Sequence, residues 1–86
     1  MLSAADAAKA AVHHVTELTG RDAESVIGAE RHDDGWRVTV EIVEIHRIPD
    51  SADILAVYQC DVDGDGDLVS YRRLRRYTRG QVGREN

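Results

Sequence analysis

Cysteine is almost absent from this chain of 86 residues, because Cys60 is the only one. A single cysteine excludes an intramolecular disulfide and any cysteine-rich zinc site. Cys60 falls on an apolar strand face, so we expect a reduced and buried thiol. Long hydrophobic runs are lacking too, since no stretch approaches the roughly 20 residues that span a bilayer, and no signal-peptide pattern opens the sequence. We therefore expect a cytoplasmic protein with no membrane contact.

Sequence motifs for catalysis are also lacking. The chain has no nucleophile elbow, no phosphate-binding glycine loop and no dinucleotide fingerprint. No two histidines have the i, i+4 spacing of a helical zinc site. All four are expected to be solvated surface residues: His13, His14, His32 and His46. The sequence therefore predicts no enzymatic activity, no cofactor and no metal site.

Basic residues are few, but they cluster. The chain carries 11 basic and 16 acidic residues, which gives a net charge of -5. Six of the 11 basic residues lie within the last 15 positions, whereas 13 of the 16 acidic residues precede Asp65. An acidic body with a basic C-terminal part indicates self-association or an acidic partner. A chain this short supports one hydrophobic core, so we expect a single domain over residues 1–86.

Small apolar residues indicate a helix near the start of the sequence. Ser3 followed by Asp6 is typical of a capping box, and Gly20 is a typical stop. Apolar residues recur between them at three- and four-residue spacing: Ala4, Ala8, Ala11, Val12, Val15 and Leu18. This periodicity predicts a helix over about residues 3–19 with one apolar, mostly small face.

After Gly20 the period of the apolar residues changes to two, since Trp36, Val38, Val40 and Ile42 alternate with polar residues, which predicts a strand. "SVIGAER" before it is interpreted as a weaker strand, and the later segments "DILAVYQCDV" and "DLVSYRRLRRY" as strands because they are rich in β-branched and aromatic residues. We expect the strands at about residues 25–31, 36–46, 53–62 and 67–77, with a flexible tail over about residues 78–86. Turn residues separate them, including "HDDG" and the only proline, Pro49. The predicted fold class is α+β, with one N-terminal helix packed on one face of a four-stranded antiparallel β-meander.

The pairing of the last two strands depends on the position of their turn. A turn centred on residues 64 and 65 would place Cys60 beside Val69. A slip of one residue would instead bring Arg72 beneath the helix, which is costly for an unpaired charge. The residues expected under the helix are Trp36, Val38, Val40, Ile42, Ile54, Ala56, Tyr58, Cys60, Val69 and Tyr71.

The stretch "DVDGDGDLVSYR", residues 61–72, begins like an EF-hand calcium loop. Asp61, Asp63, Asp65 and Gly66 occupy the early positions of that loop. Position twelve is Arg72, a cation where a bidentate glutamate is required, and the flanking segments alternate as strands. We interpret the stretch as a tight hairpin turn with an acidic rim, which leaves weak binding of a divalent ion open.

The segment "YRRLRRYTRG" near the C-terminus is the candidate binding site. Simple alternation along a strand directs its arginines to both faces of the sheet. One face then carries Tyr71, Arg73, Arg75 and Tyr77, and the other carries Arg72, Leu74 and Arg76. Three interpretations are open: a protein interface, a nucleic-acid contact, or a ladder of ion pairs with Glu41, Glu44 and Asp53 on neighbouring strands. The net negative charge makes nucleic acid the least favoured.

The sheet face away from the helix is expected to carry more apolar surface than a solvated face usually does. Its aliphatic residues are Val43, Ile45, Leu55, Val57 and Leu74. A dimer or a partner protein would cover this face, or the terminal residues of the chain would fold over it. The predicted partner-binding residues are Arg72, Arg73, Arg75, Arg76, Leu74, Val57 and Leu55.

About residues 19–81 closely resemble the gas vesicle protein O family, GvpO. The shared features are a GW strand start at residues 35–36, an R-I-P-D loop at 47–50, a D-x-L-A-x-Y strand at 53–58, an acidic glycine turn, and Y-x-R-x-x-R-Y at 71–77. Gln59 and Cys60 depart from the family, which more often has an acid after the tyrosine. The resemblance implies a non-enzymatic accessory protein of gas vesicle assembly that contacts other gas vesicle proteins, structural or accessory, and associates with vesicles. The alternative is a regulatory nucleic-acid-binding module that uses the arginine-rich last strand.

Overall fold

The computed structural model describes residues 2–80 and contains one α-helix and four strands. In chain order these are α1 (Ala4–Thr19), β1 (Ala23–His32), β2 (Gly35–Ile45), a short 3-10 helix (Asp50–Ala52), β3 (Ile54–Val62) and β4 (Leu68–Thr78). The strands form one antiparallel sheet in the order β1-β2-β3-β4. The predicted α+β fold is confirmed. Most of the tail that was predicted to be flexible, residues 81–86, lies outside the described residues.

Helix α1 begins and ends where the sequence indicated. The Ser3 hydroxyl accepts a hydrogen bond from the first turn of the helix at 3.1 Å, and Gly20 adopts the left-handed conformation with φ of 69°. Ala7, Ala11 and Val15 are fully buried against the sheet. Because two of these three side chains are single methyl groups, the helix lies close to the strands.

Two of the three strand reversals, those between β1 and β2 and between β3 and β4, occur at aspartate-rich turns. Between β1 and β2, Asp33 has φ of 55°, a left-handed conformation that aspartate tolerates. Between β3 and β4, the Asp63 carboxylate accepts hydrogen bonds from the backbone N–H groups of Asp65 at 2.9 Å and Asp67 at 3.0 Å. Gly66 in the same turn has φ of 87°. The acidic stretch is therefore a strand reversal, as predicted, and Asp63 holds its backbone together.

The pairing of β3 with β4 differs from the predicted one. Cys60 lies opposite Tyr71 rather than opposite Val69. The loop is longer than a two-residue turn, and β4 contains two bulges, at Val69 and at Leu74. A bulge places two residues of one strand opposite one residue of its partner and shifts every later pair by one. The longer turn adds one residue before the pairing with β3 begins, and the bulge at Val69 adds a second. The residue opposite Cys60 therefore changes by two positions, from Val69 to Tyr71. Cys60 still faces the helix.

The core lies between α1 and one face of β2 and β3. Its strand residues are each at most 2% exposed: Val38, Val40, Ile42, Ala56, Cys60 and Val62. Trp36 and Tyr58 pack against the edge of this core, as predicted. The expectation for two β4 residues is wrong. Val69 is 65% exposed because it lies in a bulge, and Tyr71 is 41% exposed because α1 lies mainly over the other three strands.

Candidate interaction surface

Strand β4 forms one edge of the sheet, and residues 69–76 are all exposed. The bulge at Leu74 divides its arginines into two pairs. Arg72 and Arg75 point away from α1 because their β3 partners do so, whereas Arg73 and Arg76 lie on the helix side. The predicted simple alternation is therefore wrong beyond Leu74, since the extra residue of the bulge exchanges the faces of Arg75 and Arg76.

The helix-side pair, Arg73 and Arg76, converges on one carboxylate. Arg73 donates a hydrogen bond to Glu44 Oε2 at 3.1 Å, and Arg76 Nε lies 3.1 Å from Glu44 Oε1. Glu44 belongs to β2, so both arginines reach across β3, where the small side chain of Ala56 lies opposite Arg76. The interpretation as a ladder of ion pairs therefore holds for these two arginines with Glu44.

The outward pair, Arg72 and Arg75, forms no ion pair with any residue between 2 and 80. The Arg75 guanidinium lies 5.3 Å from the centre of the Tyr77 ring, a cation–π contact that leaves its charge accessible. Arg72 lies opposite Gln59, which carries no charge. The outward pair is therefore the part of the segment whose positive charge is available to another molecule.

The aliphatic residues that were expected on an open outer face are mostly buried. Leu55 and Val57 are each 2% exposed and Val43 is 5% exposed, so the expectation that they form an accessible surface is wrong. Leu74 and Ile45 are exposed, as expected. Tyr77 lies opposite Leu55 and Arg75 lies opposite Val57, so the longer side chains of β4 border these buried residues of β3.

A clasp of charged side chains, formed by Glu24, Asp53 and Arg79, lies at the end of this face. Arg79 follows β4 and donates hydrogen bonds to Glu24 at 2.8 Å and to Asp53 at 3.1 Å. Its backbone N–H also donates to the Asp53 carbonyl at 2.8 Å. Because Glu24 belongs to β1, the clasp crosses β2 and β3. Arg79, from the predicted tail, thus lies at one end of the outer face. The rest of the tail that was expected to fold over this face, residues 81–86, lies outside the described residues.

Hydrogen bonds and burial determine the pKa values around the clasp. The backbone N–H of Arg47 and the Arg79 guanidinium lower the pKa of Asp53. The hydrogen bond from Arg79 lowers the pKa of Glu24, and the two carboxylates raise the pKa of Arg79. Glu41 behaves oppositely, because burial and then the nearby Glu24 charge raise its pKa. The clasp is therefore ionised at neutral pH.

At the opposite end of the sheet, the two hairpin turns border an open cleft of about 230 Å³. Asp61 in this cleft accepts two hydrogen bonds from Arg37, at 3.0 and 3.1 Å, which lower the pKa of Asp61.

Two histidines near these turns form hydrogen bonds within the protein. His32 lies 2.9 Å from Arg37 at hydrogen-bond distance, and His14 forms a hydrogen bond of 2.8 Å with the Gly66 carbonyl. The expectation that all histidines are solvated is therefore wrong for these two. Within residues 2–80, no group of three or more His, Cys, Asp or Glu side chains is placed to hold a metal ion.

Cys60 is fully enclosed in the core, as expected for a structural thiol. Burial raises the pKa of this thiol to about 11. The thiol is therefore protonated at neutral pH and is a poor nucleophile.

Two features were not predicted in full from the sequence. Asp53 was named as an ion-pair partner of the arginine segment and does bind Arg79, but Glu24 was not named and Arg79 was assigned to the tail. Ile48, in the R-I-P-D loop, is 100% exposed. The loop that carries it is anchored by Asp53, whose carboxylate accepts a hydrogen bond from the Arg47 backbone N–H at 2.7 Å. The strong loop signal around Pro49 could have indicated an exposed Ile48, whereas no local signal indicates the clasp.

Comparison with known proteins places these features in a family. A family model described as gas vesicle synthesis protein GvpO matches residues 1–83. The chain belongs to the GvpO family. Over 76 residues this GvpO-family chain is 46% identical to gas vesicle protein O of Streptomyces sp. strain CB03234, a match that covers 88% of the chain and 59% of the relative. It is 42% identical over 69 residues to gas vesicle protein O1 of Halobacterium salinarum, which covers 80% of the chain and 58% of the relative.

A third relative extends the same result. The chain is 39% identical over 70 residues to gas vesicle protein O of Haloferax mediterranei, which covers 80% of the chain and 50% of the relative. The GvpO-family chain thus spans between 50% and 59% of the length of these relatives. No solved structure matches it. Among residues 2–80, no helix combines the length and apolar character required to cross a membrane. The predicted family is confirmed, and the description of that family names gas vesicle synthesis.

Proposed function

We propose that this chain is a non-enzymatic accessory factor of gas vesicle assembly that acts by binding another gas vesicle protein. The observation that carries the proposal is the outward pair, Arg72 and Arg75, on an exposed edge strand of a gas vesicle synthesis family member. Arginines that form no ion pair within residues 2–80, beside an exposed Leu74, have the composition of a protein interface. Membership of the family supports a role in gas vesicle assembly, and the outward pair supports β4 as the place where the partner protein binds.

The charge distribution supports an acidic partner surface. The chain has a net charge of -5, yet six of its 11 basic residues lie in the last 15 positions. A local positive patch on a negative body attracts a complementary patch and steers its orientation. The same net negative charge repels a nucleic-acid backbone, which disfavours the regulatory nucleic-acid-binding module.

The proposed contact is narrower than the one expected from the sequence. Leu55 and Val57 are left out, because side chains that are 2% exposed do not reach a partner. Arg73 and Arg76 contribute less than the outward pair, since Glu44 already neutralises part of their charge. The centre of the contact is therefore the outward pair.

A charge reversal with a matched control tests the proposal. Arg72→Glu/Arg75→Glu is expected to reduce co-purification with gas vesicle proteins from vesicle-forming cells about tenfold or more, as for interface hot spots. Lys9→Glu/Arg21→Glu reverses the same number of charges at exposed positions away from β4 and is expected to leave co-purification unchanged. Circular dichroism should not change in either variant, because all four side chains are exposed.

Two outcomes would contradict this function. Co-purification that survives reversal of the outward pair removes its basis. Nucleic-acid binding measured by filter assay supports the alternative if the affinity falls steeply with rising salt and is lost on the same reversal, since that pattern indicates phosphate contacts.

A further inference from the structure

Among residues 2–80, strand β4 has a neighbouring strand on one side only, and we propose that its open edge binds an extended, acidic segment of the partner protein by strand addition. This inference rests on the proposed function, because it states how the arginine segment docks. In strand addition, main-chain hydrogen bonds supply affinity and side chains at alternate positions supply specificity. The edge is long enough for this, since β4 has 11 residues and residues 69–76 are all exposed.

The backbone of β4 has unpaired groups whose direction follows from its pairing with β3. The Arg79 N–H donates to the Asp53 carbonyl at 2.8 Å, and Thr78 lies opposite Ile54. Successive N–H groups along a strand point to alternate sides, so the N–H groups of Thr78 and Arg76 point away from β3. No other strand among residues 2–80 covers that side. These groups are therefore available to an added strand.

The bulge at Leu74 determines which charges the added strand would meet. Arg72 and Arg75 are three residues apart, yet they lie opposite Gln59 and Val57, which are two residues apart in β3. The bulge thus brings both arginines to one face at the spacing of a regular strand. A partner segment with acidic residues at i and i+2 would pair with both arginines.

The charges on β4 disfavour pairing between the β4 edges of two copies of the chain. Residues 68–78 contain four arginines and no aspartate or glutamate, so two β4 strands side by side would repel each other. Edge strands commonly use such charges and bulges to prevent self-pairing. The other edge, β1, carries Glu24, Glu30 and Arg31 and has two irregularities in its pairing. An acidic extended segment therefore fits β4 and not β1.

Synthetic peptides test this recognition with the full chain. The probe is a peptide of roughly ten residues, the length of a long strand, in which Glu alternates with Thr. One control has Lys in place of Glu, and a second keeps the Glu residues but replaces two Thr by Pro, which prevents strand pairing. We expect the Glu peptide to bind about tenfold or more tightly than either control in fluorescence anisotropy, because only it offers both acidic charge and a pairing backbone.

Amide hydrogen exchange separates strand addition from charge attraction alone. The amides of Arg76 and Thr78 should exchange about tenfold or more slowly with the Glu peptide bound, because each becomes hydrogen-bonded. Arg76→Pro removes an outward N–H and should bind the peptide about five- to tenfold more weakly than Arg76→Ala, which removes only the side-chain charge. The exchange measurement uses the parent chain, so it remains decisive if the proline variant does not fold.

The outcomes distinguish this inference from the proposed function. Strand addition is overturned if the Arg76 and Thr78 amides exchange at the same rate with and without the peptide and if the two Arg76 variants bind the peptide equally. The proposed function still stands in that case, provided that reversal of the outward pair reduces co-purification. Protection of the same amides without peptide, increasing with protein concentration, also overturns it, because a second copy then occupies the edge. If co-purification is retained after reversal of Arg72 and Arg75, both the proposed function and strand addition are contradicted.

Discussion

Gly35 is required because two backbones approach closely at the start of β2. A Cβ at this position would lie 2.8 Å from Asp63 Cα and would also collide with the Val62 carbonyl. These are backbone atoms, which do not rotate away as a flexible side chain would. The GW start of β2 therefore reflects a packing requirement at the point where the two hairpins meet.

Gly35→Ala is expected to lower the free energy of unfolding by about 1–3 kcal/mol, the usual cost of overpacking. Denaturant titration followed by circular dichroism measures this change. Gly28→Ala is the matched control, because nothing lies within 4 Å of a Cβ at that position. The control should stay within about 0.5 kcal/mol of the parent. Equal stability of the Gly35 variant and the parent would contradict the close approach of the two backbones.

The hairpin between β3 and β4 depends on one aspartate among several. The Asp63 carboxylate accepts two backbone hydrogen bonds within the turn, whereas Asp65 contributes only its backbone N–H. Asp63→Ala should therefore lower the free energy of unfolding by about 1–2 kcal/mol, since two donors lose their acceptor. Asp65→Ala should change it by less than about 0.5 kcal/mol. Urea titration of both variants measures the difference, and similar losses would contradict a special role of Asp63.

Elements were easier to predict than their exact pairing. The capping residues and the small apolar face determined α1. Period-two alternation indicated β2, and β-branched and aromatic residues between turn signals indicated the other strands, to within one or two residues at each end. The two bulges of β4 were not predictable, because Val69 and Leu74 are ordinary strand residues without a local bulge signal. Each bulge still changed which side chains face the partner strand and the solvent.

The clasp links parts of the molecule that are far apart in the chain. Arg79 is 55 residues from Glu24 and 26 residues from Asp53. Its ion pairs close one end of the outer face and tie the segment after β4 to β1 and to the R-I-P-D loop. The open part of β4 therefore lies between a fixed turn at one end and the clasp at the other.

Acid titration tests the clasp. The pKa values of Asp53 and Glu24 lie below their ordinary values of 3.8 and 4.5, so their contribution is present above those values and is lost as the pH falls through the lower folded values. Arg79→Gln should be less stable than the parent at pH 7, and its stability should fall less steeply below about pH 4.5. Thermal unfolding between neutral and acidic pH measures both effects.

The exposed Arg21 provides the control for this titration, because Arg21→Gln removes one charge away from the clasp. It should follow the parent curve throughout. Parallel curves for Arg79→Gln and the parent would contradict the clasp. Glu41 acts in the opposite direction, since its raised pKa makes its ionisation unfavourable to folding as the pH rises.

The arginine segment was proposed as a binding site from the sequence alone, but the accessibility of its side chains was not predicted. Local composition indicated the arginine segment, because four arginines and two tyrosines stand together in residues 71–77. Composition did not reveal that Glu44 engages Arg73 and Arg76, or that Leu55 and Val57 are buried. Both facts depend on neighbours that are distant in the chain.

By itself the sequence determined the helix, the strands, the acidic turn and the family, since caps, periodicity and motifs act over a few residues. Only the tertiary structure decided which arginines remain accessible and which aliphatic residues are covered. The physical reason is that bulges and cross-sheet ion pairs depend on the packing of several strands at once. A strand shifted by one residue presents different side chains to solvent, although its own sequence is unchanged.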